Sequence, residues 1–413
     1  MLKRTLFIFT ILALLIGAFS MTVAQEADGE PIRVGAIFDL SGATGDVGTP
    51  YANGVIAYVD WLNNNGGING RPIELISQDY AYSVETAEDL YSQFVNDGVV
   101  VFMGWGTGDT QALVGRIAED EIPFISASYS GVLNDPQGDA PYNFLIATTY
   151  GDQMVIMLMH MLEQWVEAGN APEDMVVAVF HHDSPFGTDP VADGEAFAEE
   201  AGIGNLLSIA MPGGATDYTA EIQQADNAGA THVVVQNVSS PAALLATNLL
   251  DFYGSTDVVE FGCLNWCADE LFVELAGEAS EGALGAIPFT PTTVDVAGQE
   301  EPRVYLEERG QTLEEATLHF TQGWAAMDVM AEAIRITLDN DMELTGPNIK
   351  ASLESMENYE TGEILAPVTF TPEDHRSTRA LSIYRVEDGV WVQDSERIDL
   401  RAMEDMEEET EDS

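Results

Sequence analysis

Short apolar segments alternate with helical ones along most of this chain, and that alternation constrains the fold more than any other feature. Residues 32–40 read as a buried strand, 51–64 as a helix stopped by Asn65-Gly66-Gly67, 73–78 as a strand and 84–96 as a helix. Residues 98–103, 110–119 and 122–127 continue it as strand, helix, strand. A second series follows, with strands expected at 175–180, 206–211, 231–236 and 258–262 and helices at 153–168, 186–201, 218–228 and 241–253. Strands that are apolar throughout, each followed by a helix, imply parallel sheets covered by helices on both faces. The fold class is therefore α/β, with two doubly wound units and no flexible linker between them.

The later chain is less regular. Residues 321–338 form a long helix with an apolar stripe of Trp324, Met327, Val329, Met330 and Ile334, read as core. Residues 368–370, 380–386 and 390–393 read as strands, the last two joined in a hairpin at Asp388-Gly389. At the start, Lys3 and Arg4 precede an apolar run from Leu6 to Phe19, and small residues follow at Thr22-Val23-Ala24. That is the layout of a signal peptide cleaved near Ala24 (residues 1–24), which predicts an exported protein, periplasmic or extracellular. At the other end, residues 401–413 are expected to form an acidic tail, the run from Glu404 being the most acidic.

About 390 residues remain after cleavage, too many for one core and comfortable for two domains. The formal charge is −56, and Lys3 and Lys350 are the only lysines. Such a surface repels polyphosphates and anionic lipid headgroups, so no nucleic-acid partner is expected. Cys263 and Cys267 are the only cysteines. In an exported chain they are expected to close a small disulfide loop, because a cysteine-based metal centre needs further ligands. In His181-His182-Asp183 adjacent strand residues point to opposite faces, which makes joint ligation awkward. No metal and no cofactor is expected.

Several stretches resemble the branched-chain amino acid (Leu/Ile/Val-type) binding proteins, members of the periplasmic binding protein type I family. They are residues 33–42 (RVGAIFDLSG), Asn53-Gly54, residues 65–75 (NGGINGRPIEL), Asp79, Asn96-Asp97-Gly98-Val99, and Phe186-Gly187 after His182-Asp183. The resemblance runs from about residue 31 to 394 and is densest in the first hundred residues. It implies two lobes joined by a three-crossing hinge, a Venus-flytrap arrangement. Residues 31–150 and 282–366 would form lobe one, and residues 151–281 and 367–400 lobe two. It further implies a monomeric, non-enzymatic binder that captures a small polar solute and delivers it to an ABC permease in the membrane.

In open α/β sheets ligands lie beyond the carboxyl ends of the strands, where loops and helix starts converge. In lobe one these loops are 39–48, 104–110 and 126–131, rich in Gly, Ser and Thr and without Arg or Lys. A bound anion would then rest on N–H groups and hydroxyls. The resemblance places the family's carboxylate-binding residues near Thr107, Gly108, Ser128, Tyr129 and Ser130. In lobe two the loops are 181–187, 236–240 and 263–268. Gln236 opens one of them, Phe186 and Trp266 are suited to cover an apolar or cationic group, and Tyr150 stands at the lobe junction. Amino-acid binders of this family commonly place an acid in the last of these loops to hold the α-ammonium. Here Leu264 or Asn265 takes that place, with Asp269 further on, which opens the reading to amides, urea-like molecules and other small polar solutes.

Two other classes fit the sequence less well. A dinucleotide enzyme would use residues 42–48, but their spacing is GxxGxxG rather than GxGxxG. An exported α/β hydrolase would need a Gly-x-Ser-x-Gly elbow or an HExxH helix, and the chain has neither. A ligand-sensing receptor module of the same fold is the closer alternative.

Overall fold

The computed structural model describes residues 29–403. The expected signal peptide and most of the acidic tail lie outside them, although Arg401 is tied to Asp374 Oδ2 at 3.0 Å. No helix among the described residues is long and apolar enough to cross a membrane.

The first sheet has five parallel strands in the order β2-β1-β3-β4-β5: β1 Ile32–Phe38, β2 Ile73–Asp79, β3 Val101–Gly104, β4 Phe124–Ser126 and β5 Asn143–Phe144. Every residue of β3 and β4 is buried, which is why these strands are apolar without alternation. Helices Gly45–Asn64, Val84–Asn96 and Thr107–Asp120 return the chain between them. The second sheet is built from β6 Val176–His182, β7 Asn205–Met211, β8 His232–Gln236, β9 Glu260–Cys263, β10 Leu284–Ile287, β11 Ala380–Glu387 and β12 Val390–Gln393, in the order β12-β11-β10-β9-β8-β6-β7. Strands β6 to β10 run parallel, β11 and β12 antiparallel, and β13 (Ile398–Asp399) pairs with β11. The β11–β12 hairpin turns at Asp388 (φ 51°) and Gly389 (φ 77°), two residues of positive φ as a two-residue turn needs.

Two expectations fail here. Residues 284–287 were assigned to lobe one, but they form β10 in the second sheet, hydrogen-bonded between β9 and β11. The passage to the first lobe therefore comes after Ile287, where Phe289 bridges Leu365. Apolar periodicity identifies a strand but cannot say which sheet takes it. Residues 368–370 are not a strand either. Val368 pairs with Tyr359 as an isolated bridge, but the next amides turn to other partners, Thr369 N to Ser377 O and Phe370 N to Met356 O, between Pro367 and Pro372. The other two passages lie side by side, marked by a bridge between Leu145 and Arg376.

The long helix Leu318–Asp339 is buried on most of its surface and packs along helix Gly45–Asn64. Glycines allow the two backbones to meet. A Cβ on Gly54 would stand 2.0 Å from Phe320 O, and one on Gly323 would stand 2.0 Å from Tyr51 O. This contact fixes the position of Tyr51, which reaches the gap between the lobes.

Candidate functional site

The carboxyl ends of the two sheets face each other, and the gap between them is filled mainly by rings. Trp266 comes from the one-turn segment Asn265–Cys267 after β9 and enters from lobe two. Its ring meets Trp105, which follows β3 in lobe one, edge-on at 4.9 Å. It stacks on Tyr129 at 6.0 Å with planes 8° apart, and on His319 at 4.9 Å. Tyr51 approaches both tryptophans, at 5.3 Å from Trp105 and 6.2 Å from Trp266. Tyr150, the first residue of helix Tyr150–Glu167, packs edge-on against Phe186 at 5.4 Å.

The polar ends of these rings are engaged inside the protein. Trp266 Nε1 donates to Tyr150 Oη at 3.0 Å, Trp105 Nε1 donates to Thr44 Oγ1 at 2.8 Å, and Gln322 Nε2 donates to Tyr129 Oη at 2.6 Å. Tyr51 Oη and His319 Nε2 are the exceptions, buried without a hydrogen-bond partner. The space left among these rings is about 20 Å³, lined by Thr44, Tyr82, Trp105, Tyr150, Phe186 and Trp266 together with Gly106, Thr107, Ala127 and Val238. A single water needs about 10–15 Å³. A wider cavity of about 450 Å³ lies beside it, between Gly42 and Asp46 of lobe one and His182, Tyr218, Asn237 and Ser240 of lobe two. The lobes thus meet at the rings, and anything larger than water enters the space among them only if the lobes part or the rings turn.

Of the residues singled out in the sequence, Thr107, Tyr150, Phe186 and Trp266 line this space. Tyr129 backs Trp266, and Ser128 shares a 2.7 Å hydrogen bond between its hydroxyl and that of Thr107. Gly108 lies in the first turn of helix Thr107–Asp120 beside Pro185 of lobe two. Ser130 is turned away to the Asp189 carboxylate, and Gln236 Nε2 donates to Phe186 O at 3.0 Å, so these two support the wall rather than line it. The expected disulfide is absent: Cys263 and Cys267 are buried free thiols. The Cys267 thiol points at the carbonyls of Val235 (3.4 Å) and Leu264 (3.5 Å), the local direction set by the turn after β9. His181 and His182 bond instead to Ser208 Oγ and Ser184 Oγ.

Sequence reasoning missed Thr44, Tyr82 and Trp105. Trp105 and Thr44 sit inside loops that were singled out, but hydroxyls and glycines drew attention away from the ring. Tyr82 follows β2, whose carboxyl end obeys the same strand-end rule and was left out of the loop set.

Carboxylates stand behind the rings. Asp39, fully buried, accepts from Gly42 N, Thr44 N and Thr44 Oγ1 at 2.6, 2.8 and 2.7 Å. Asp109, 2% exposed, accepts from Tyr80 Oη at 2.9 Å and from Gly106 N at 3.2 Å. Burial pushes its carboxyl up to about 7, against the lowering effect of those bonds. Burial likewise raises Asp189 to about 6. Below Trp266, His319 Nε2 lies 3.2 Å from Asp269 Oδ2, an ionic contact not aligned as a hydrogen bond. Burial works against a charged His319, but the Asp269 carboxylate beside it outweighs that, so its pKa is raised. Contacts also cross between lobes: Ser240 N donates to Asp46 Oδ2 at 2.9 Å, and Leu318 N donates to Glu270 Oε2 at 2.7 Å. Asn265, at the place where an ammonium-binding acid was sought, has a buried carboxamide with neither end hydrogen-bonded.

The model of the family described as periplasmic binding protein matches residues 31–390. This chain belongs to that family. Among curated relatives, Leu/Ile/Val-binding protein homolog 7 of Brucella suis is 24% identical over 247 residues, 59% of this chain and 59% of the relative. The chain thus matches a little over half the length of that relative. Among solved structures, a branched-chain amino acid ABC transporter protein from Thermus thermophilus with bound valine superposes with a TM-score of 0.81. It is 24% identical, and the match covers 91% of this chain and 97% of that one. An ABC transporter substrate-binding protein from Aeropyrum pernix gives 0.79 at 26% identity, covering 90% and 96%. The fold is the type I periplasmic binding protein fold, two α/β lobes linked by three chain passages.

Proposed function

We propose that this protein is the exported solute-capturing component of an ABC-type importer. It holds a small polar molecule between its lobes without altering it and presents the closed form to a membrane permease. The observation that carries the reading is the gap itself. Strand ends, helix starts and aromatic rings of both lobes converge on one small space, the place where open α/β sheets take ligands. Three chain passages join the lobes, so they can part as rigid units. Contacts such as Asp46 with Ser240 and Glu270 with Leu318 form only on closure. A solute favours closure to the extent that it binds the closed form better than the open one.

Binding of a solute to the folded form raises apparent stability by mass action. A thermal-shift screen with amino acids, amides, urea, polyamines and small carboxylates, followed by mass spectrometry of the recovered solute, tests the proposal. The expected result is selective stabilisation by one chemical class with the solute recovered unchanged. Chemical conversion of the solute, or no stabilisation by any class, counts against it.

A further inference from the structure

We propose that the solute is an organic cation, an ammonium group bearing apolar substituents, taken up by the aromatic faces between the lobes. The inference rests on the solute-capturing reading above and narrows it. Five of the ten residues lining the space are Tyr82, Trp105, Tyr150, Phe186 and Trp266. The indole N–H groups of Trp105 and Trp266 are spent on the Thr44 and Tyr150 oxygens, which accept them. What the two indoles offer a guest is therefore ring face, and the ring quadrupole makes those faces attractive to a desolvated cation.

The charges behind the wall favour the same sign. No Lys or Arg is among the lining residues. The Gly106 N–H, just before helix Thr107–Asp120 where a ligand carboxylate was expected to rest, donates to the chain's own acid, Asp109. Thr44, on the opposite side, is held by the buried Asp39 carboxylate through both its amide and its hydroxyl. A ligand carboxylate entering here would face the buried Asp39 carboxylate behind Thr44 with no basic side chain in the wall, whereas a cation gains from that charge. The closed space is too small for such a guest as it stands, so uptake requires Trp266 to withdraw with lobe two and return over it.

The test is titration calorimetry on the mature protein with four probes: choline, its neutral isostere 3,3-dimethylbutan-1-ol, leucine and benzoate. Choline should bind at least about tenfold more tightly than the isostere, because the two differ in charge and hardly in shape. Trp105→Leu should weaken choline about tenfold or more, and Trp105→Phe, which keeps a ring face, should restore most of that loss. Circular dichroism on both variants separates lost binding from lost folding. Equal or tighter binding of the isostere, leucine or benzoate overturns the proposal, and so does no binding of choline at millimolar concentration. If leucine or benzoate binds and closes the lobes, solute capture stands and the cation assignment falls. If no solute of the wider screen closes them, both fall.

Discussion

Asp109 is the buried group whose ionisation should leave the clearest mark on stability. Its carboxyl, normally near 3.8, is raised to about 7 by burial. A raised acid binds its proton more tightly folded than unfolded, so its contribution is largest at low pH and declines as pH rises from about 4 through about 7. Integrating between pH 5 and pH 8, this single group removes about 2–3 kcal/mol of folding stability. Asp109→Asn keeps an oxygen to accept from Tyr80 or Gly106 but cannot ionise. Its own cost, a lost acceptor, is the same at every pH. Urea unfolding of both proteins at pH 5, 6, 7 and 8 should therefore give curves that converge, the wild type losing about 2–3 kcal/mol more than the variant. The protein's many other carboxylates affect both curves alike and cancel in the difference. Parallel stability profiles would refute the reasoning, for they would mean that Asp109 ionises alike in both states.

Trp266→Ala should lower solute affinity at least about tenfold and cost less than the 3–5 kcal/mol of a truncated core tryptophan, since lobe closure covers much of its ring; calorimetry and urea unfolding together check both halves. Ser128→Ala, which removes the partner of the Thr107 hydroxyl, should weaken binding by about 1 kcal/mol with unchanged far-ultraviolet dichroism. Gly54→Ala forces a methyl group against Phe320 O and should destabilise by about 1–3 kcal/mol, read as a lowered thermal midpoint. Two thiols should react with Ellman's reagent in denaturant and almost none in the native protein, since Cys263 and Cys267 are both free and buried; no reaction in denaturant would instead mean a disulfide.

Much of this architecture was legible because buried parallel strands and amphipathic helices write themselves as apolar runs and turns. Strands β1, β2, β6, β8 and the β11–β12 hairpin lie within a residue or two of where the pattern puts them. The two-residue β5 and the short helices Glu300–Glu307 and Leu313–Ala316 left too few periodic positions to be seen. The assignment of β10 depends on hydrogen bonds to β9 and β11, chain neighbours about 20 and 100 residues away, and local pattern carries no such information. At the site, strand-end logic found Thr107, Ser128, Phe186 and Trp266 but not Tyr82 or Trp105. Whether a ring after a strand faces a cleft or a core is decided by the opposite lobe. The disulfide expectation failed for a similar reason: four-residue spacing allows the bond, while the turn directs the Cys267 thiol to backbone carbonyls.

Solution scattering with and without the stabilising solute reaches the central claim most directly, because it reports the separation of the two lobes. Without added solute the protein should be more extended than the closed arrangement, in which Trp266 rests on Trp105 at 4.9 Å. At saturation it should contract to match that arrangement. A profile that already matches the closed arrangement and does not change with any solute would contradict the account.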